Sequence, residues 1–160
     1  MTRDLRLARW LALLVPAALL AGAWGSQLIG HLYPCEMCHW QRWPHYAAVV
    51  VALLAFAVPR ASARALVGIA ALLIAVSGAI GVAHAGVEYH WWPGFTACTQ
   101  QLDLSGLSPA ERLAKIMAAP VIPCDVAQWR LLGISLAGFN AIISLGTAIA
   151  IFFLLTRRAR

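Results

Sequence analysis

The stretch Pro34-Cys35-Glu36-Met37-Cys38-His39-Trp40-Gln41-Arg42 holds the densest chemistry in the chain. Two thiols separated by two residues close a small ring on oxidation, and the thiolate is the form that attacks a disulfide or binds a metal. Positive potential stabilises a thiolate, and two sources of it lie nearby. Arg42 follows Cys38 by four residues, so on a helix the two side chains share a face. An apolar run begins at Trp43, and the N-terminal end of its helix dipole points at the pair. Pro44, which lacks an N–H, belongs in the first turn of that helix or kinks it. Arg42 sits at the edge of hydrocarbon, where snorkelling to headgroups competes with a functional partner. The cysteine four residues earlier favours the partner.

Cys98 and Cys124 bring the cysteine count to an even four. Three chemistries compete for them. The first is thiol–disulfide exchange coupled to a membrane acceptor. The second is covalent haem, because Cys35-Glu36-Met37-Cys38-His39 matches C-x-x-C-H. A loop of about a dozen residues between two helices has little room to wrap a haem, and Cys98 and Cys124 are then left without a role. The third is a four-cysteine zinc site, for which a second C-x-x-C would be more typical. A bridge between Cys98 and Cys124 would close a loop of 25 intervening residues. As a static staple it would contribute roughly 3 kcal/mol; spacing alone does not tell a static bridge from an exchanging one.

The elements that must hold these sulfurs are set by composition. Of 160 residues 62% are hydrophobic and 11% charged, against about 25% charged in soluble domains, so the solvent for much of the chain is lipid. A helix crossing hydrocarbon needs about 20 mostly apolar residues. Four candidate spans follow, over residues 10–29, 43–58, 65–85 and 129–155, and the chain reads as one all-α membrane domain over residues 1–160. Ala21-Gly22-Ala23 after three arginines resembles a signal-peptidase site. The apolar run continues past it to Ile29, which suits a span better.

Charge orients the spans. Arg3, Arg6, Arg9, Arg60, Arg64, Arg157, Arg158 and Arg160 fall on one side with Asp4 alone against them. Arg42, Arg112, Lys115 and Arg130 fall on the other, with Glu36, Glu88, Asp103, Glu111 and Asp125. The basic excess marks the cytoplasmic side, so both termini are expected there. The net charge of +6 then belongs to topology and not to nucleic acid. All four cysteines fall in the two outer loops, at about 31–42 and 86–128, which in a bacterium face the disulfide-permissive periplasm. Tyr33, Trp40, Trp43, Tyr46, Tyr89, Trp91, Trp92 and Trp129 lie near the outer ends, the depth that amphipathic rings favour.

Two further segments are legible. Gly68, Gly78, Gly81 and their alanine neighbours in the third apolar run allow close helix packing. In the long loop, Ser108-Pro109-Ala110-Glu111 reads as a capped helix start. Leu113, Ile116 and Met117 share a face, and the helix stops before Pro120. It either lies on the membrane surface or packs within the loop.

Over nearly its whole length the chain resembles the DsbB family. The resemblance rests on the four apolar runs, the Cys-x-x-Cys loop with Gln41-Arg42 after it, Trp91-Trp92-Pro93-Gly94 before Cys98, Cys124-Asp125, and the stretch from Trp129 to Ser135. It implies a quinone-dependent protein-thiol oxidase in the bacterial inner membrane that reoxidises a DsbA-like periplasmic thioredoxin-fold protein. The catalytic residues implied are Cys35, Cys38, Cys98 and Cys124. Reduced partner attacks Cys98 of a Cys98–Cys124 disulfide, the freed Cys124 attacks Cys35 of a Cys35–Cys38 disulfide, and Cys38 leaves as a thiolate facing the quinone. Cys38 and Arg42 are the implied quinone contacts, Arg42 polarising a carbonyl; the quinone is ubiquinone or menaquinone. The related four-helix enzymes that act on vitamin K, and a haem electron carrier, are the competing readings. His39 is incidental in this frame, and His84, Glu88 and His90 are expected to be structural hydrogen-bonding groups.

Overall fold

The computed structural model describes residues 3–96, 98, 104–118 and 122–157; Asp103, Pro120, Arg158 and Arg160 of the preceding account lie outside them. In chain order the elements are α1 (Arg3–Leu28), α2 (Glu36–Ala57), α3 (Arg60–Glu88), α4 (Pro109–Met117), β1 (Arg130–Leu131), β2 (Ile134–Ser135) and α5 (Leu136–Thr156). The four long helices, α1, α2, α3 and α5, pack as one bundle. Three of them, α1, α3 and α5, are long and apolar enough to cross a membrane, with mean hydropathies of 1.6, 2.5 and 2.1. The N-terminal half of α2 instead carries Gln41, Arg42 and His45, all buried inside the bundle.

Contacts at the helix ends give the up-and-down course of the chain. Arg42, early in α2, bonds to Gln27 and Ala23, late in α1. Gln41 bonds to His84, late in α3. Gly81 of α3 abuts Ala137 and Ala141 at the start of α5: a Cβ there would lie 3.0 Å from the Ala137 oxygen and the Ala141 nitrogen. At the far end Trp10 meets Phe56 with ring centroids 5.1 Å apart, and the Arg64 guanidinium donates to the Leu155 carbonyl. The far end is packed by small side chains, among them Ala8, Ala12, Ala48, Ala52, Ala63 and Ala70, all fully buried.

α1 begins at Arg3, seven residues before its expected start, and the bounds of α2, α3 and α5 also differ from expectation. α2 begins at Glu36, not near Trp43, because the Cys35 sulfur caps it, accepting the Cys38 N–H at 3.4 Å. The first outer loop therefore shrinks to residues 29–35, and Cys38 and Arg42 stand on the helix. Pro44 lies in the helix interior and deprives the Trp40 carbonyl of its partner. One residue on, the Gln41 carbonyl accepts the Ser77 hydroxyl at 2.8 Å. α3 runs from Arg60 to Glu88, a turn longer at each end than the apolar run.

The last span was expected from Trp129, but α5 begins at Leu136. β1 and β2 pair antiparallel in a hairpin of two-residue strands, a small element in a mostly helical fold. Leu132 and Gly133 have φ of 52° and 80°, the two positive values that a tight hairpin turn of this hand requires. Ser135 then caps α5 by accepting the Gly138 N–H at 3.1 Å.

α4 starts as its sequence dictates, with Ser108 and Glu111 forming the reciprocal capping box. It buries no residue, and Leu113, Ile116 and Met117 are 61%, 50% and 78% exposed. Its apolar stripe meets no protein core among the described residues.

Candidate active site

Both cysteine pairs arrive at one place. Cys35, Cys98 and Cys124 are buried with Met37 and Val87 in a single cluster, and Cys38 packs against it. Cys98 and Cys124 are joined as a disulfide with Cα atoms 5.6 Å apart. The Cys124 N–H donates to the Cys98 carbonyl at 3.4 Å, and the Thr96 hydroxyl lies 2.9 Å from the Cys98 sulfur. Cys35 and Cys38 are free thiols whose sulfurs lie 3.1 Å apart, Cys35 donating.

That contact makes the two thiols unequal. The bond to Cys38, with burial, pushes the Cys35 thiol far above its usual range. Cys38 accepts that bond on the first turn of α2, with Arg42 one turn further along the same helix. Arg42 is 8% exposed and fixed on α1, donating to the Gln27 Oε1 at 2.8 Å and the Ala23 carbonyl at 3.0 Å. Its guanidinium also lies over the Trp24 ring, 5.4 Å from the centroid. A guanidinium has five N–H donors, so these bonds fix it and leave donors for a further acceptor.

A polar network supports the site from beneath. The Gln41 amide N–H₂ donates to the Met37 carbonyl at 3.2 Å and faces the His84 Nδ1 at 2.8 Å. The Gln41 Oε1 accepts from the Asn140 amide at 2.9 Å. Asn140 Oδ1 in turn meets the His45 Nε2 at 2.9 Å and accepts the Ser144 hydroxyl at 3.0 Å. The other ring nitrogen of His84, Nε2, lies 3.5 Å from the Cys35 sulfur and 3.7 Å from the Glu88 Oε1.

These groups wall a cavity of about 220 Å³ between α1, α2, α3 and α5. Leu19, Leu20, Ala23, Leu136 and Ala137 supply apolar wall; Cys35, Cys38, Arg42, His84 and Glu88 supply the polar edge. A mostly apolar cleft with a few convergent polar groups is the usual form of a small-molecule site.

Of the residues singled out from sequence, Cys35, Cys38 and Arg42 line this cavity and Cys98 and Cys124 adjoin it. His39 is exposed and not among the lining residues, so the C-x-x-C-H string does not aim its histidine at the site. Cys35, Cys38 and His84 do offer metal-type ligand atoms within 4.8 Å of one another. A metal on the His84 Nε2 needs a proton on Nδ1 and an acceptor beyond it; Gln41 presents an N–H there, the wrong polarity. His84 and Glu88 belong to the site, whereas His90 turns back onto the Val87 carbonyl. Gln41, His45, Ser77 and Asn140 were missed as a network. The signal was available, because polar side chains inside apolar runs are costly unless partnered or functional.

Tyr89 and Trp92 do more than anchor in a membrane. The Tyr89 hydroxyl donates to the Gly133 carbonyl at 2.8 Å and accepts the Ser135 N–H at 2.9 Å. The Trp92 indole donates to the Ala83 carbonyl at 3.0 Å and covers Gly86, where a Cβ would fall 2.0 Å from the ring.

Comparison with known proteins agrees with this geometry. The family model described as disulfide bond formation protein DsbB matches residues 5–154. A protein of Marinobacter nauticus named disulfide bond formation protein B is 32% identical over 161 residues, covering 94% of each chain. No solved structure matches. With its apolar helices and its two cysteine pairs, the chain is an oxidoreductase of membranes that belongs to the DsbB family of disulfide bond formation proteins.

Proposed function

We propose that this protein oxidises a DsbA-like thioredoxin-fold partner in the periplasm and delivers the two electrons to membrane quinone. In this reading all four long helices cross the bacterial inner membrane, both termini are cytoplasmic, and the cysteine end faces out. α2 can cross despite its polar half because Gln41, Arg42 and His45 point into the bundle and find partners there. The exposed apolar stripe of α4 lies on the membrane surface.

One observation carries the proposal: a disulfide and a dithiol share one buried cluster at the edge of an apolar cavity that also holds a fixed guanidinium. The cavity fits a quinone ring. Its walls are apolar, Cys38 is the sulfur disposed to be a thiolate, and Arg42 has donors for a carbonyl oxygen. A bound quinone supplies a two-electron acceptor. The chain's own residues do the rest.

The partner's thiolate attacks Cys98, the Cys98–Cys124 bond breaks, and the electron pair leaves on Cys124. Cys124 attacks Cys35 of an oxidised Cys35–Cys38 pair, and the pair of electrons moves to Cys38. Cys38 holds that charge one helical turn from the Arg42 guanidinium. DsbA is a strong oxidant at about −120 mV, so its reoxidation needs an acceptor of higher potential. Anaerobic turnover with reduced DsbA and either ubiquinone or menaquinone tests the proposal. Stoichiometric quinol formation with one of them is expected, and failure with both overturns it.

A further inference from the structure

The hydrogen bonds around His84 fix which of its nitrogens carries the proton. The Gln41 amide cannot be reversed without setting its oxygen against the Met37 carbonyl, 3.2 Å away, and losing the Asn140 donor at 2.9 Å. An N–H of Gln41 therefore faces the His84 Nδ1 at 2.8 Å, and a ring nitrogen that receives a donor is the unprotonated one. In the neutral ring the proton then sits on Nε2, the nitrogen 3.5 Å from the Cys35 sulfur.

We infer that Gln41 is a positioning residue: it locks His84 as the Nε2–H tautomer so that the imidazole donates a hydrogen bond to Cys35 whenever that sulfur is a thiolate. The need for such a donor is physical. Cys35 is 4% exposed and has little water to solvate a charge. Other charged or titratable groups facing this pocket are Cys38, Glu88 and Arg42, with Arg130 acting on Glu88. Among these only Cys38 and the imidazole come within hydrogen-bonding reach of Cys35.

The inference rests on the relay proposed above for the step it serves. To reset the enzyme, the partner's second thiolate displaces Cys98 from the mixed disulfide and leaves oxidised, and the freed Cys98 thiolate attacks Cys124 of a Cys124–Cys35 bridge. The Cys98–Cys124 bond forms, the Cys124–Cys35 bond breaks, and the electron pair departs on Cys35. The His84 N–H stabilises that leaving sulfur, and no proton changes hands.

The test uses the full chain in detergent. In ¹⁵N-histidine-labelled protein, His84 is expected to show a protonated Nε2 and an unprotonated Nδ1. Gln41→Glu removes the amide donor and offers an acceptor to Nδ1, at the cost of setting an oxygen against the Met37 carbonyl, and is expected to invert that pattern. In a Cys38→Ser, Cys98→Ala, Cys124→Ala background, Cys35 is the single thiol and its alkylation by iodoacetamide can be followed against pH. Adding Gln41→Glu there is expected to slow alkylation about tenfold at a pH below the thiol's midpoint and to move the profile to higher pH. That factor is the size of one hydrogen bond to a charged group. A parent His84 protonated on Nδ1 overturns the inference, and so does an inverted tautomer that leaves the profile where it was. Neither measurement involves quinone or partner, so loss of the functional proposal in the turnover assay would be visible separately.

Discussion

At the end of the bundle that carries the chain termini, the helices meet through methyl groups: Ala8 and Ala12 of α1, Ala48, Ala52 and Ala55 of α2, Ala63 and Ala70 of α3. At the cysteine end the same helices meet through Gln41, His45, Ser77, His84, Asn140 and Ser144, each bonded to the next. In lipid no hydrophobic force draws helices together, so close van der Waals contact and interhelical hydrogen bonds must do so. The far end uses the first. The cysteine end uses the second, and its longer side chains hold the helices apart around a cavity.

Substitution at each end tests that division. Cys38→Ser is expected to abolish quinone reduction while Cys98 still traps reduced partner, seen as a mixed disulfide on a non-reducing gel; Cys98→Ala is expected to stop partner oxidation altogether. Normal turnover in either would reject the relay order. Arg42→His is expected to raise the KM for quinone about tenfold or more, the scale of a lost hydrogen bond to a charged group. Unchanged quinone kinetics would remove Arg42 from the site.

Smaller effects sharpen the contrast. Asn140→Ala strands donors and acceptors on Gln41 and His45 and is expected to cost about 1–3 kcal/mol, read as a lowered unfolding temperature. Ala52→Leu overfills the far end at a similar cost, about 1–3 kcal/mol, and is expected to leave Cys38 alkylation unchanged; a change there would mean that the two ends are coupled. The smallest effect belongs to α4, outside both. Ser108 holds the Glu111 carboxyl below its usual value near 4.5. The capping bond therefore contributes fully above that pH and is lost as pH falls through the lower folded value. Amide exchange in α4 is expected to quicken over that range.

The sequence made the bundle and the sulfur chemistry legible for different reasons. Long apolar runs and basic flanks are strong signals, and the Cys35-x-x-Cys38 spacing with Arg42 one turn on is a local one. The boundaries that moved did so through single side chains whose partners are not local in character. The Cys35 sulfur extends α2 by acting as a cap, and the hairpin with its Leu132-Gly133 turn takes seven residues from the expected start of α5. The network was hidden because its bonds between helices join residues 32 to 99 apart. Each polar residue was visible alone; the register that joins them is set by helix packing. For the same reason His84 and Glu88 read as structural groups until α2 was placed beside them.

The seat of Trp92 over Gly86 has a consequence for how the outer disulfide is presented. The indole pins the chain where α3 ends, and Cys98 follows only six residues later. A leash of that length reaches at most about 20 Å when fully drawn out. One tryptophan and the glycine beneath it thus limit how far the outer disulfide can sit from the Cys35–Cys38 pair.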